Sequence, residues 1–403
     1  MFDLKRLLLI GAFVLSAIAI GTGLYFAFFR AVVTEPSQPA AVTRPGAAGL
    51  PAAGEGAPTP FVPARRETLP QADAVAGGGV TRAIALSASS VGAVSPTPSG
   101  ANYYDPGDGR FYGVDKDGNV TALSAAQFPS ASDVEWSPLS DKAIVEFPDG
   151  SNVVYDFATQ TQVTLPSHWE DFAFTPSGEE IVAKSIGLDP NNRWLVVSNA
   201  DGSNVKSVQP LGFNASLVKV APSPNDQIVA FADTAAPLQG GLDRKMIVPI
   251  GRNQENFRGL AIEGLGFTPK WSPDGSKLLY SAAGDYSANE PLLWIVDASP
   301  ATLGENRRSL GINTWADKCA FHGTQALYCA VPRGLPANAG LQRAIADGVP
   351  DDLYRVDLVT GEAALAAIPD ADMRMDDLMV AADGSSVFFT DAFTGKLQTI
   401  RLK

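Results

Sequence analysis

The sequence predicts an all-β domain, a seven-bladed β-propeller of four-stranded antiparallel blades with an N-terminal closing strand, behind an N-terminal transmembrane helix and a disordered linker. Three observations carry this expectation. A strand-turn-strand signature, clearest at Trp271-Ser272-Pro273-Asp274-Gly275 running into Leu278-Leu279-Tyr280, recurs about seven times between Val91 and the C-terminus of the 403-residue chain. Its spacing of roughly 40 to 60 residues suits a four-stranded blade with loop insertions. No long amphipathic helix interrupts the repeats, which excludes a solenoid of helix pairs.

The elements follow in chain order. Leu7 to Phe29 is an apolar run without a charge, and at about 1.5 Å per residue it spans roughly 34 Å, enough to cross a bilayer. Residues 1–6, which include Lys5 and Arg6, are expected to stay cytoplasmic because a large domain follows the span. Cleavage as a signal peptide is the alternative. Residues 30–79 are rich in Ala, Pro, Gly and Thr and nearly free of aromatics, the composition of a disordered tether, with a mean reach of roughly 35 to 42 Å.

The propeller domain is expected over 80–403. Its first unit shows four strands cleanly: Val91 to Val94, Ala101 to Tyr104, Arg110 to Val114 and Asn119 to Leu123, separated by Pro, Gly and Asp-Gly turns. Copies of the Trp271 position fall near Val94, Trp136, Phe174, Pro222, Ala320 and Val380. Six or eight blades are the alternatives, because the Pro222 and Val380 copies are loose. The last blade ends after its third strand at Leu402, and Thr81 to Leu86 can supply the fourth. Such pairing closes the ring and removes an exposed sheet edge.

Cys319 and Cys329 stand symmetrically about Thr324 in one predicted hairpin, so antiparallel pairing sets them opposite each other. A disulfide is expected, with two buried thiols as the alternative. A disulfide agrees with an oxidising, extracytoplasmic compartment. The formal net charge is −13, from 30 Lys plus Arg against 43 Asp plus Glu, and such a surface repels phosphate backbones, so nucleic acid is not an expected partner.

Catalytic motifs are missing. There is no Gly-x-Ser-x-Gly elbow, Walker loop, His-Glu-x-x-His or paired Cys-x-x-Cys, and His168 and His322 are the only histidines. The chain is accordingly expected not to be an enzyme. One constellation emerges when the repeats are aligned: three residues before the Trp271 position stand Val91, Asp133, Asp171, Lys219, Thr268, Asp317 and Asp377. Asp133, Asp171, Asp317 and Asp377 could form a carboxylate ring at one channel mouth and hold a cation such as calcium. The alternative is that each aspartate starts a strand and caps loop backbone.

The longest insertions follow second strands: Asp233 to Asp243, Ala282 to Glu290 and Pro332 to Asp352. Alternate connections of an antiparallel blade emerge on one face, so these loops mark a binding face together with the aspartates. Trp169, Tyr286 and Trp315 are its candidate partner-contacting aromatics, with Phe213 and Phe267 nearby, and Asn338 to Ala346 could form a short helix there.

The segment Trp271-Ser272-Pro273-Asp274-Gly275-Ser276-Lys277-Leu278-Leu279-Tyr280 resembles the WD40-like (PD40) repeat of TolB-like proteins and of peptidase propeller domains. The resemblance covers about residues 80 to 403, and it implies an extracytoplasmic propeller that binds proteins or peptides. The expected function is a membrane-tethered scaffolding module of the cell envelope. The alternative is a ligand-binding sensor or enzyme with a carbohydrate, peptide or cation in the central funnel.

Overall fold

A computed structural model describes residue 22 and residues 72–98, 100–238 and 244–403. The predicted membrane segment Leu7–Phe29 and the linker up to residue 71 lie outside these residues, Thr22 excepted. Among the described residues no helix is long and apolar enough to cross a membrane. The C-terminal compact unit runs from Glu67 to Lys403.

That unit contains seven antiparallel blades. Their first strands are Gly92–Thr97, Asp133–Trp136, Trp169–Phe174, Val218–Val220, Leu265–Trp271, Cys319–His322 and Met375–Val380. First strands touch from blade 1 through blade 4, between blades 6 and 7 and between blades 7 and 1. Lys219 of blade 4 reaches Phe267 of blade 5, and the first strand of blade 5 meets the turn Ala316–Lys318 that leads into blade 6, so the first strands ring a central channel. Blades 1 to 5 keep chain order from first to fourth strand.

The closing strand differs from expectation. Thr81 to Leu86 is divided between two blades. Ile84 and Ala85 pair antiparallel with Thr399 and Gln398 as the fourth strand of blade 7, whereas Val80 and Thr81 pair parallel with Ile368 and Pro369, making blade 6 five-stranded. Residues 73–79, read from composition as the end of the tether, join the propeller: Ala76 N donates to Arg401 O at 2.8 Å and Gly78 N to Ala366 O at 2.8 Å. Backbone pairing needs no apolar side chains, which is why composition misplaced this boundary.

The repeat signature acts as scaffold. Trp136 Nε1 donates to Ala93 O of blade 1 at 2.6 Å, and Trp271 Nε1 donates to Ala221 O of blade 4 at 3.0 Å. Each indole thus ties its blade to the preceding one. The buried hydroxyls of Ser137, Ser223 and Ser272 accept from the backbone N–H five residues on, at 2.9 to 3.0 Å, closing the turn from inside. Cores lie between blades: Phe231 and Ile247 pack with Phe267 and Tyr280 across blades 4 and 5, and Phe111 packs edge-on against Trp136 across blades 1 and 2.

Cys319 and Cys329 are direct antiparallel partners and are disulfide-bonded, with Cα atoms 4.0 Å apart. The insertion 332–352 folds over Trp315. Within it only Arg343–Ala346 is helical, a single 3-10 turn, in place of the helix expected from Asn338 to Ala346.

Candidate functional site: the channel and the insertion face

Second-to-third strand connections and blade-to-blade connections open on one face of the ring. On that face large apolar side chains stand in solvent: Leu188 is fully exposed, Phe213 is 85% exposed, and Tyr286, Leu341, Ile345 and Phe393 are also exposed. Among the described residues the opposite face offers Leu139, Val205 and Val359, with Val120 at its edge, and no exposed aromatic. Of the three aromatics expected to contact a partner, only Tyr286 is exposed, and its hydroxyl donates to Glu263 O at 2.7 Å. The other two are corrected. Trp169 opens the first strand of blade 3 facing inward and is buried beside Phe172 and Ile181. Trp315 is buried because the insertion supplies its cover, Leu335, Ala339, Ala346 and Val349, with the Arg343 guanidinium 4.8 Å from its ring centre.

The four aspartates do not form one metal centre. Among the described residues no three Asp, Glu, His or Cys side chains gather as metal ligands. Asp171 is ion-paired with the buried Lys184, and Asp317 with Arg343 at 2.6 Å. Asp171 (φ 52°) and Asp377 (φ 51°) sit at register breaks with left-handed backbone. Aspartate tolerates that conformation better than most residues, so these two have a local reason to be there. In blade 1 the matching register break carries Ala93 (φ 43°) rather than Val91.

Asp133 and Asp377 do meet in one place, a channel cavity of about 600 Å³ lined also by Glu135, Ser95, Trp136 and Phe174. Alternation along the first strand of blade 2 explains it: Val134 and Trp136 pack into the core shared with blade 1, leaving Asp133 and Glu135 on the channel side. Asp133 is the cross-strand partner of Glu146. Burial, then Asp133 and Glu146, push the Glu135 carboxyl up to about 7. Burial, then Asp133, Asp171 and Glu170, push Glu146 up to about 7 as well. Asp377 is also raised, by its enclosure within the ring and then by Asp376. Sequence reading missed Glu135 because it followed only the position two residues earlier.

A carboxyl whose folded-state pKa is raised from 4.5 to about 7 destabilises the fold once ionised. Its full penalty is absent below pH 4.5 and develops as pH climbs toward 7. Changing Glu135 and Glu146 together to glutamine is therefore expected to stabilise the protein at pH 8 by an amount on the order of 1 kcal/mol, discounted because both groups keep contact with solvent. Near pH 4 the gain should vanish. Thermal melts of parent and variant at both pH values check this; an equal difference at the two would contradict it.

Neither a family model nor a curated protein sequence matches the chain. Solved structures do. An oligogalacturonate lyase from Vibrio parahaemolyticus superposes with a TM-score of 0.55 at 12% identity, over 80% of this chain and 93% of that one. An oligogalacturonate lyase in complex with manganese gives 0.51 at 15% identity, over 73% and 83%. The propeller domain of Cps50 (Swd1) from Myceliophteria thermophila gives 0.53 at 10% identity, over 80% and 100%. The seven-bladed propeller is what these likenesses share with the chain. They correct one expectation: lyases have this fold, so the lack of a hydrolase or zinc motif in the repeats does not make the chain a non-enzyme.

Proposed function

We propose that the protein is a membrane-tethered, extracytoplasmic binding propeller that holds a protein or envelope component on its insertion-bearing face. The observation that carries this reading is the asymmetry of exposed apolar groups, with Phe213, Tyr286 and Phe393 all on one face and, among the described residues, no exposed aromatic on the other. Exposed aromatics grouped on one surface are the usual anchors of protein interfaces. Anchoring through Leu7–Phe29 would leave the propeller outside the cytoplasm, where the Cys319–Cys329 disulfide is stable.

Affinity capture of the full-length protein from detergent-solubilised membranes tests the reading. A stoichiometric partner should be retained by the parent and lost, by about tenfold or more, from Phe213→Ala combined with Leu188→Ser. These side chains are solvent-exposed, so melting temperature should not fall. A partner retained equally by both proteins, or no partner at all, would sink this reading. A second reading has its own observation, the channel cavity with its unpaired carboxylates. It places a small polar ligand on the propeller axis.

A further inference from the structure

Once the channel charges are paired off, they remain unbalanced in a particular way. Lys184 pairs with Asp171, Arg343 pairs with Asp317, and Lys219 Nζ donates to Phe267 O. On blade 2 the Asp133, Glu135 and Glu146 side chains have no ion pair among the described residues. On blade 5 the Lys270 ammonium has neither an ion pair nor a hydrogen bond among the described residues. Lys270 is enclosed by the ring yet keeps a minor part of its surface open.

Glu135 and Lys270 are structural equivalents. Each immediately precedes the tryptophan that ties its blade to the one before, Trp136 and Trp271. Each lies on the strand face opposite that tryptophan, toward the channel. Blades 2 and 5 are separated by blades 3 and 4, whose residues at the same level are Ala173 and Ala221. At this level the ring thus has a carboxylate on blade 2 and an ammonium on blade 5, with uncharged residues on the two blades between them. Burial lowers the Lys270 pKa, opposed only by the more distant Asp317 and Asp377. Neither charge is compensated by contact in the free protein, and each is poised to gain from an opposite charge brought by a ligand.

We propose that the channel binds a small zwitterion, its ammonium group in the cavity lined by Asp133, Glu135 and Asp377 and its carboxylate at Lys270. The unpaired ammonium selects against a simple cation, which would leave Lys270 uncompensated. The acidic wall selects against a simple anion. An unblocked short peptide has this charge layout, and its length can be varied without adding side chains.

Titration calorimetry of the full-length protein in detergent, with an unblocked oligoglycine ladder from diglycine to hexaglycine, tests the proposal. One or two adjacent lengths should bind best. Acetylating the amino end, amidating the carboxyl end, Glu135→Gln and Lys270→Met should each weaken that binding by about tenfold or more. Folding is checked by melting, where removal of either uncompensated charge should leave the transition unchanged or raise it. No binding at any length would overturn the proposal. So would binding that survives Lys270→Met, or an n-alkylamine binding as tightly as the best peptide, since both describe a cation site. Partner capture through Phe213 is measured separately, so failure here leaves the face reading untouched.

Discussion

Replacing Asp351 with asparagine is expected to destabilise the protein by about 3 kcal/mol, with a matching fall in the urea midpoint. Asp351 is fully buried, and one oxygen, Oδ2, accepts from Lys318 Nζ at 2.7 Å and from Met375 N at 2.7 Å. Lys318 is itself buried, so a neutral amide leaves an ammonium enclosed without its principal counter-ion. Asp376, with its oxygen 3.7 Å from Lys318 Nζ, keeps part of the attraction, which sets the expectation at the lower end for a broken buried pair. The pair ties the residue before the first strand of blade 6 to the start of that blade's third strand, and through Met375 N and Asp376 it also holds the start of blade 7, beside the insertion that covers Trp315. Removing both charges as Lys318→Met with Asp351→Leu should cost less than either single change, because no charge is then stranded. A double variant as damaged as the sum of the singles would show that packing rather than charge sets the effect.

The fold was legible because turn chemistry repeats in register. Ser137, Ser223 and Ser272 close equivalent turns, and Gly178 (φ 71°) and Gly275 (φ 69°) supply left-handed backbone where the turn needs it. Third strands coincide with short apolar runs of the sequence even in the two loosest copies, where Met246-Ile247-Val248 lies in Arg244–Gly251 and Leu397-Gln398-Thr399-Ile400 lies in Lys396–Arg401. Register inside the first strands was less legible. In blade 1 Thr97 pairs with Gly100, while in blade 3 Phe174 pairs with Ile181 across a wider turn. Counting back from the turn therefore reached Val91 and missed the register break at Ala93. Trp315 could not be recognised as core from its place in a connection, because the side chains that cover it come from residues 335 to 349 of the insertion. Glu135 and Lys270 carry no motif. They stand out only when a seven-fold ring sets equivalent positions of different blades around one axis, and when the ion pairs of Lys184, Asp171, Asp317 and Arg343 have been set aside.

Deleting residues 72–87 together with everything before them is expected to abolish stable folding, whereas ending the deletion at residue 71 should leave the propeller's melting transition intact. The short segment is tied to two blades. Val80 and Thr81 extend blade 6, Ile84 and Ala85 complete blade 7, and Leu86 N donates to Leu397 O at 2.8 Å. Leu86 is also buried among Tyr103, Phe388 and Leu397, in the core that joins blade 7 to blade 1. Burying that leucine is worth about 1.5 to 3 kcal/mol, and each backbone hydrogen bond lost adds about 1 kcal/mol. Together these exceed about 5 kcal/mol, the lower bound of a typical domain's whole stability. The loss also bares the outer edge of blade 7, an open row of backbone donors and acceptors that invites pairing with another chain. The shorter protein should accordingly aggregate or show no cooperative melt, and the longer one should unfold in a single transition. Equal melting of both truncations would mean that blades 6 and 7 hold together without the closing segment, and that the ring is sealed by the contact of Met375–Val380 with Gly92–Thr97 alone.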